Sequence, residues 1–291
     1  MCKRVLFLAW FVSSSAFCQQ AQLTHVWELA DALMTPESVV FDSKTNLLYA
    51  SSVNGGVTDK DGNGFISTIT PDGTLVSQHW LDGLNAPKGI AVHDGKLYVA
   101  DIDELVEIDI ATASVLKSYP AAGAKFLNDV AIDSQGIVYV SGSVTSIIYR
   151  LIEGKLAVWI SDDNLLNPNG IYAGPASLVV AAGDNSTTDP WNKRYLMAIE
   201  YQSETIKPVM DTTPLGGIDA VEPDHQSGYL LTDWSDGTIM HYSSDGNVKV
   251  LIKRERGTAD LTYIHGTQML YLPLMMENRL VAYKLEWVKD Q

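Results

Sequence analysis

The chain has 291 residues, 46% of them hydrophobic and 19% charged, enough apolar material for a large folded core and too much for a disordered polymer. Asp and Glu number 35 against 20 Lys and Arg, a formal net charge of −15 that repels phosphate backbones, so nucleic acid is excluded as a partner. Gly and Pro, 22 and 11, are at ordinary levels, which excludes collagenous and linker-like sequence.

Residues 1–18 read as a signal peptide: Lys3 and Arg4, the apolar run VLFLAWFV from Val5 to Val12, then small residues Ser13 to Ala16. That run is too short for a bilayer, which needs about 20 apolar residues. Cleavage is expected after Cys18, with Ala16 three positions before the cut. The alternative, lipid modification of Cys18, is disfavoured by Phe17 where a small residue is needed. No later stretch reaches membrane-spanning length, so a periplasmic or secreted protein without disulfides and without membrane insertion is expected.

From residue 19 onward the dominant signal is an internal repeat. Six segments open with a polar residue and run into an apolar strand: PESVVFD from Pro36, PKGIAVH from Pro87, LNDVAID from Leu127, PNGIYAG from Pro168, IDAVEPD from Ile218 and ADLTYIH from Ala259. Second strands follow as LLYAS, KLYVA, IVYVS, SLVVA, GYLLT and MLYLP, and third strands as ISTIT, LVEID, IIYRL, YLMAI, TIMHY and LVAYK. Turns such as Pro71-Asp72-Gly73 and Asp245-Gly246 lead to fourth strands. The equivalent polar positions Glu37, Lys88, Asn128, Asn169, Asp219 and Asp260 are 51, 40, 41, 50 and 41 residues apart. Four short strands per 40 to 50 residues define a propeller blade.

The sequence therefore predicts an all-β fold, a six-bladed β-propeller forming one domain over residues 19–291. After LVAYK there is no room for a fourth strand, whereas THVWELA from Thr24 resembles the fourth-strand segment LAVWISD. The N-terminal strand is expected to complete the last blade and remove its open edge. A monomer is expected.

In such a fold the six polar positions form a ring at one mouth of the central channel. A channel mouth is wet and accepts polar residues at no cost. The sharper reading is a metal site, because Glu37, Asn128, Asn169 and Asp219 offer only hard oxygen donors, which suit Ca2+. The six histidines align to no ring position; His93 and His265 fall five residues past one, at the far end of the inner strand.

The ordered occurrence of PESVVFD, FLNDVAID, NPNGIY and GGIDAVE resembles the senescence marker protein (regucalcin), gluconolactonase and luciferin-regenerating-enzyme group of six-bladed propellers, over Pro36 to Leu285. The resemblance implies a divalent cation held by Glu37, Asn128, Asn169 and Asp219. Two departures stand out. The group's arginine two residues before the blade-three asparagine is replaced by Phe126, with Lys125 adjacent, and blades two and six supply Lys88 and Asp260 in place of small neutral residues. Either Lys88 is neutralised by Glu37 and Asp260 beside a metal, or it replaces the metal as the positive centre of a substrate pocket.

Elsewhere, Asp59-Lys60-Asp61-Gly62-Asn63-Gly64 matches half a calcium loop, but its twelfth position is Thr70 and a polar turn is expected. The segment Gly183 to Arg194 reads as a long blade-four insertion that places Trp191 over the mouth, and Trp234 occupies the matching blade-five loop. Asn185-Ser186-Thr187 is a glycosylation triplet. No GxSxG, HExxH, phosphate loop or dinucleotide fingerprint occurs. These readings lead to an exported, metal-dependent hydrolase of a small ester or lactone. Asp219 and Lys88 would be catalytic, and Asp260, Lys125, Trp191 and Trp234 would contact the small-molecule substrate. The alternative is a non-catalytic propeller that binds a ligand or protein partner.

Overall fold

The computed structural model describes residues 19–183, 189, 191–210 and 213–289. The leader, the glycosylation triplet and Asp184 of the blade-four insertion lie outside the described residues. Six four-stranded antiparallel sheets form the blades of a propeller, and each of the first five runs in sequence order from its innermost to its outermost strand. The inner strands are Pro36–Asp42, Pro87–His93, Leu127–Ile132, Ile171–Ala173, Ile218–Pro223 and Thr262–Ile264. Among the described residues no helix is long and apolar enough to cross a membrane.

Second strands are buried almost throughout, for example Leu47–Ser52 and Lys96–Asp101, because both of their faces are covered by adjacent blades. Outer strands such as Ser114–Pro120 and Val248–Lys253 are largely exposed. The core therefore lies between blades. Tyr49 and Ile66 of blade one pack with Leu97 and Val99 of blade two, and Tyr139 and Ile148 of blade three pack with Leu178 and Val180 of blade four.

The ring closes as the sequence predicts. The N-terminal strand Gln19–Ala30 pairs antiparallel with Arg279–Lys289 and becomes the fourth strand of blade six. The N-terminal strand ends at Ala30 as expected but starts earlier than Thr24, at Gln19, which lies opposite Lys289. Ala21 and Leu285 of the added length are buried, so the extension carries its own apolar face. Trp27 secures this strand to blade one by donating Nε1–H to the Pro71 carbonyl at 3.0 Å.

One local device sets the candidate site residues. In blades one, two, three and five the inner strand carries one extra residue relative to its partner: Pro36 pairs with Ser52 but Val39 with Ala50, Pro87 with Asp101 but Ile90 with Val99, Leu127 with Gly142 but Val130 with Val140, and Ile218 with Asp233 but Val221 with Leu231. Such bulges re-aim side chains out of the regular alternation. They fall on Glu37-Ser38, Lys88-Gly89, Asn128-Asp129 and Asp219-Ala220. In three of them the N–H freed by the bulge is taken up by a second-strand hydroxyl: Ser38 N–H by Ser51 Oγ at 3.0 Å, Asp129 N–H by Ser141 Oγ at 2.9 Å and Ala220 N–H by Thr232 Oγ1 at 2.8 Å.

Around the axis the inner strands approach closely. A Cβ on Gly89 would lie 2.4 Å from the Asp129 Cα, and one on Gly170 would lie 2.1 Å from the Asp219 carbonyl oxygen. Only glycine fits immediately after Lys88 and Asn169.

Candidate active site at the channel mouth

Glu37, Asn128, Asn169 and Asp219, from blades one, three, four and five, line one cavity of about 530 Å³, together with Lys88 from blade two. All five are buried. Trp191 and Trp234 form part of its wall. Both loops are tied at the rim, where Ser235 Oγ donates to Asn192 Oδ1 at 2.6 Å.

Each polar group has a distinct electrostatic setting. Glu37 Oε2 is buried without a hydrogen-bond partner. Burial and then the nearby Asp219 charge hold its carboxyl well above the usual range, with Lys88 opposing. Asp219 is pushed up to about 6 by burial, a rise limited by the Arg194 charge and by the 2.6 Å hydrogen bond that Asn169 Nδ2 donates to Asp219 Oδ1. Lys88 is buried and drawn down to about 8 by desolvation, against the attraction of Glu37 and Asp101. Its Nζ donates to the Ala86 carbonyl at 2.9 Å and lies 4.5 Å from the centre of the Phe126 ring.

Lys125 and Asp260 do not join this group. Lys125 is exposed and absent from the cavity wall, while its neighbour Phe126 is on it. The side chain opposite Lys88 is thus an aromatic ring where the resemblance implies a guanidinium, and the adjacent lysine does not replace it. Asp260 lies off the wall because its carboxylate is engaged sideways, accepting from Ser38 Oγ at 2.7 Å while its N–H donates to the Glu37 carbonyl at 2.9 Å. The second carboxylate acting on Lys88 is Asp101, not Asp260. The segment at Asp59 to Gly64 forms a polar turn in which the Asp61 carboxylate accepts from Asn63. His93 and His265 are exposed.

Three further charged residues, two on the cavity wall and one beside it, are missed by the repeat. Asp129, buried beside Asn128, accepts the N–H groups of Val130 and Ile171 at 2.6 and 2.7 Å, and burial pushes it up to about 8. The bulge brings Asp129 toward the axis, whereas simple strand alternation would turn it away. Arg194 is buried, donating Nη1 to the Ile218 carbonyl at 3.0 Å and Nε to the Asn167 carbonyl at 3.3 Å, and its Nη2 has no partner. Arg256, in the connection from blade five to blade six, lies over the Trp234 ring at 4.4 Å and lines the cavity.

The donor set can hold a hard divalent cation. Both amide NH2 groups are engaged, Asn128 with Ser143 Oγ at 3.3 Å and Asn169 with Asp219 Oδ1 at 2.6 Å, so the carbonyl oxygen is the atom each can offer. With the unpartnered Glu37 oxygen and the Asp219 carboxylate these are four oxygen donors, the chemistry that suits calcium. Among the described residues no three His, Cys, Asp or Glu side chains converge into a metal cluster, so such a site would depend on the two amides.

No family model and no curated protein sequence matches the chain. Its structure is similar to many solved ones. These include a gluconolactonase from Xanthomonas campestris at 18% identity and a TM-score of 0.68, covering 91% of this chain and 90% of that one. A catalytically inactive virginiamycin B lyase from Staphylococcus aureus, solved with quinupristin, matches at 14% identity and a TM-score of 0.61, covering 91% and 99%. A chain of the nidogen/laminin complex matches at 16% identity and a TM-score of 0.62, covering 76% and 86%. At these identities the likeness shows the fold, a six-bladed β-propeller.

Proposed function

We propose that the protein is an exported hydrolase of a small ester or lactone that works at the channel mouth with a divalent cation, Ca2+ in the first instance. The observation that carries the reading is the convergence of Glu37, Asn128, Asn169 and Asp219 from four blades on one cavity, with a buried Glu37 oxygen left unpartnered. A hard cation at that oxygen set would polarise the substrate carbonyl as a Lewis acid.

The remaining chemistry falls to the chain's own residues. In hydrolysis a water oxygen bonds to the carbonyl carbon, the carbon–oxygen bond to the alkoxy group breaks, and one water proton ends on the departing oxygen. Asp219 is suited to receive that proton and pass it on, because it is the carboxylate of the cavity wall that a second site residue, Asn169, holds in place. Asn169 fixes the orientation of Asp219 through Oδ1. Lys88 supplies a fixed positive charge toward the oxyanion that develops on the carbonyl, and the Ala86 carbonyl restrains its Nζ.

Melting temperature measured with chelator and with added calcium tests the reading. Calcium should raise it for the native protein and not for Asn128→Ala, because only a ligand that binds the folded state stabilises it. A screen of lactones and aryl esters then follows. Full calcium saturation with no turnover of any of them, or unchanged turnover in Asp219→Ala, would remove the hydrolase reading.

A further inference from the structure

Three cations line the cavity, Lys88, Arg194 and Arg256, against two carboxylates, Glu37 and Asp219. This is a reversal of the chain as a whole, where acids outnumber bases 35 to 20. Among the described residues none of the three has a carboxylate oxygen within 4.0 Å, although seven other basic side chains do. Lys88 and Arg194 have internal duties, one beside Glu37 and the other holding backbone carbonyls near Asp219. Arg256 has none: it is exposed, and its guanidinium is laid on the indole of Trp234. A flat cation on an aromatic face keeps its N–H edge free for a planar anion.

The described wall also carries a large apolar surface. Trp191 and Trp234 stand on the two tied loops, and Phe126, Val57 and Met275 extend the surface. On the tryptophan side of the wall the polar groups that could meet sugar hydroxyls are engaged, since Asn192 and Ser235 bond each other and Trp234 Nε1 is turned to Met275 Sδ at 3.3 Å. On that side a hydroxyl-rich lactone would find few partners among the described residues, whereas an apolar body would displace water from the aromatic walls.

We infer that the cavity selects an anionic substrate with a flat apolar body, an ester or lactone of the aryl-carboxylate class, whose negative group is received by Arg256 while its body lies against Trp234 and Trp191. The reacting end of that substrate rests on the hydrolase reading above; the recognition of charge and shape does not. A test that separates the two uses non-reacting probes in the presence of chelator: benzoate and its neutral isostere benzamide, titrated by tryptophan fluorescence or calorimetry at low salt. Benzoate should bind at least fivefold more tightly, and Arg256→Gln, a change at an exposed side chain, should bring the ratio below twofold. A smaller native ratio, a ratio that Arg256→Gln leaves above twofold, or the absence of saturable benzoate binding would overturn the inference. Retention of the Arg256-dependent preference by a protein that hydrolyses no ester would remove the hydrolase reading and leave this one standing.

Discussion

Asn169 shows how one amide can act on both a neighbour and a ligand. Its Nδ2 holds Asp219 at 2.6 Å and moderates the rise that burial imposes on that carboxyl, while under the proposed function its carbonyl oxygen would be one of the cation donors. Glu37 and Asp219 both titrate above the usual range, so under the proposed function each must lose its proton to hold a cation. Calcium binding is therefore expected to release protons, and its apparent affinity to fall as pH drops from about 7.5 to about 5.5. Calorimetry in two buffers of different ionisation heat measures the release directly; identical heats would contradict it. Asn169→Ala removes one oxygen donor and the hydrogen bond to Asp219, and a loss of about 10- to 100-fold in calcium affinity is expected. The positions of Glu37, Asn128, Asn169 and Asp219 were legible because they recur at the blade period. Asp129, Arg194 and Arg256 were not, since a repeat reports only equivalent positions: Asp129 lies one residue off the phase, Arg194 ends the blade-four insertion and Arg256 lies in the connection from blade five to blade six.

The bulge in the inner strand is the element that turns a repeated sequence into a site. An extra residue frees an N–H in a buried position, and a buried donor without a partner costs about 1–3 kcal/mol. Ser51, Ser141 and Thr232 meet that need from the second strand, so these hydroxyls stabilise the conformation that aims Glu37, Asn128 and Asp219 at the axis. Ser141→Ala should lower stability by about 1–3 kcal/mol in denaturant unfolding and weaken calcium binding as well, although Ser141 lies outside the cavity wall. A loss of stability with unchanged calcium affinity would show that the bulge holds its shape without the hydroxyl. In the sequence Ser141 and Thr232 read as polar residues at the end of otherwise apolar strands. Their partners are backbone groups on the adjacent strand, which no side-chain pattern reveals. The strand types and their order, by contrast, followed from apolar runs and turn residues, and the short inner strands Ile171–Ala173 and Thr262–Ile264 differ from expectation only in leaving Asn169 and Asp260 in the lead-in.

At the scale of the whole ring, the blades bring carboxyl groups that are remote in sequence to one axis, where burial favours their protonated form. Burial pushes Asp129 up to about 8, Glu222 to about 7 and Asp219 to about 6. A carboxyl whose folded value is raised binds more protons in the native state than in the unfolded one between the two values. Stability is therefore highest below the unfolded value and declines as pH rises through the folded one. Repulsion within a chain of net charge −15 acts in the same direction. The melting temperature in chelator should consequently fall steadily from about pH 5.5 to pH 8.5. Glu222 isolates the effect, because it is not among the proposed cation donors. Its carboxylate joins blades five and six by accepting the Tyr263 N–H at 2.9 Å and Thr262 Oγ1 at 3.4 Å. Glu222→Gln keeps an acceptor of the same shape and removes the titration. It is expected to melt about 2–4 °C above the native protein at pH 8.5, with the difference shrinking toward pH 5.5 as the native carboxyl takes up its proton. Parallel curves across that range would mean that Glu222 does not titrate with folding. Added calcium should flatten the native curve further, since the proposed site requires Glu37 and Asp219 in their ionised form and rewards the high-pH state that burial alone disfavours.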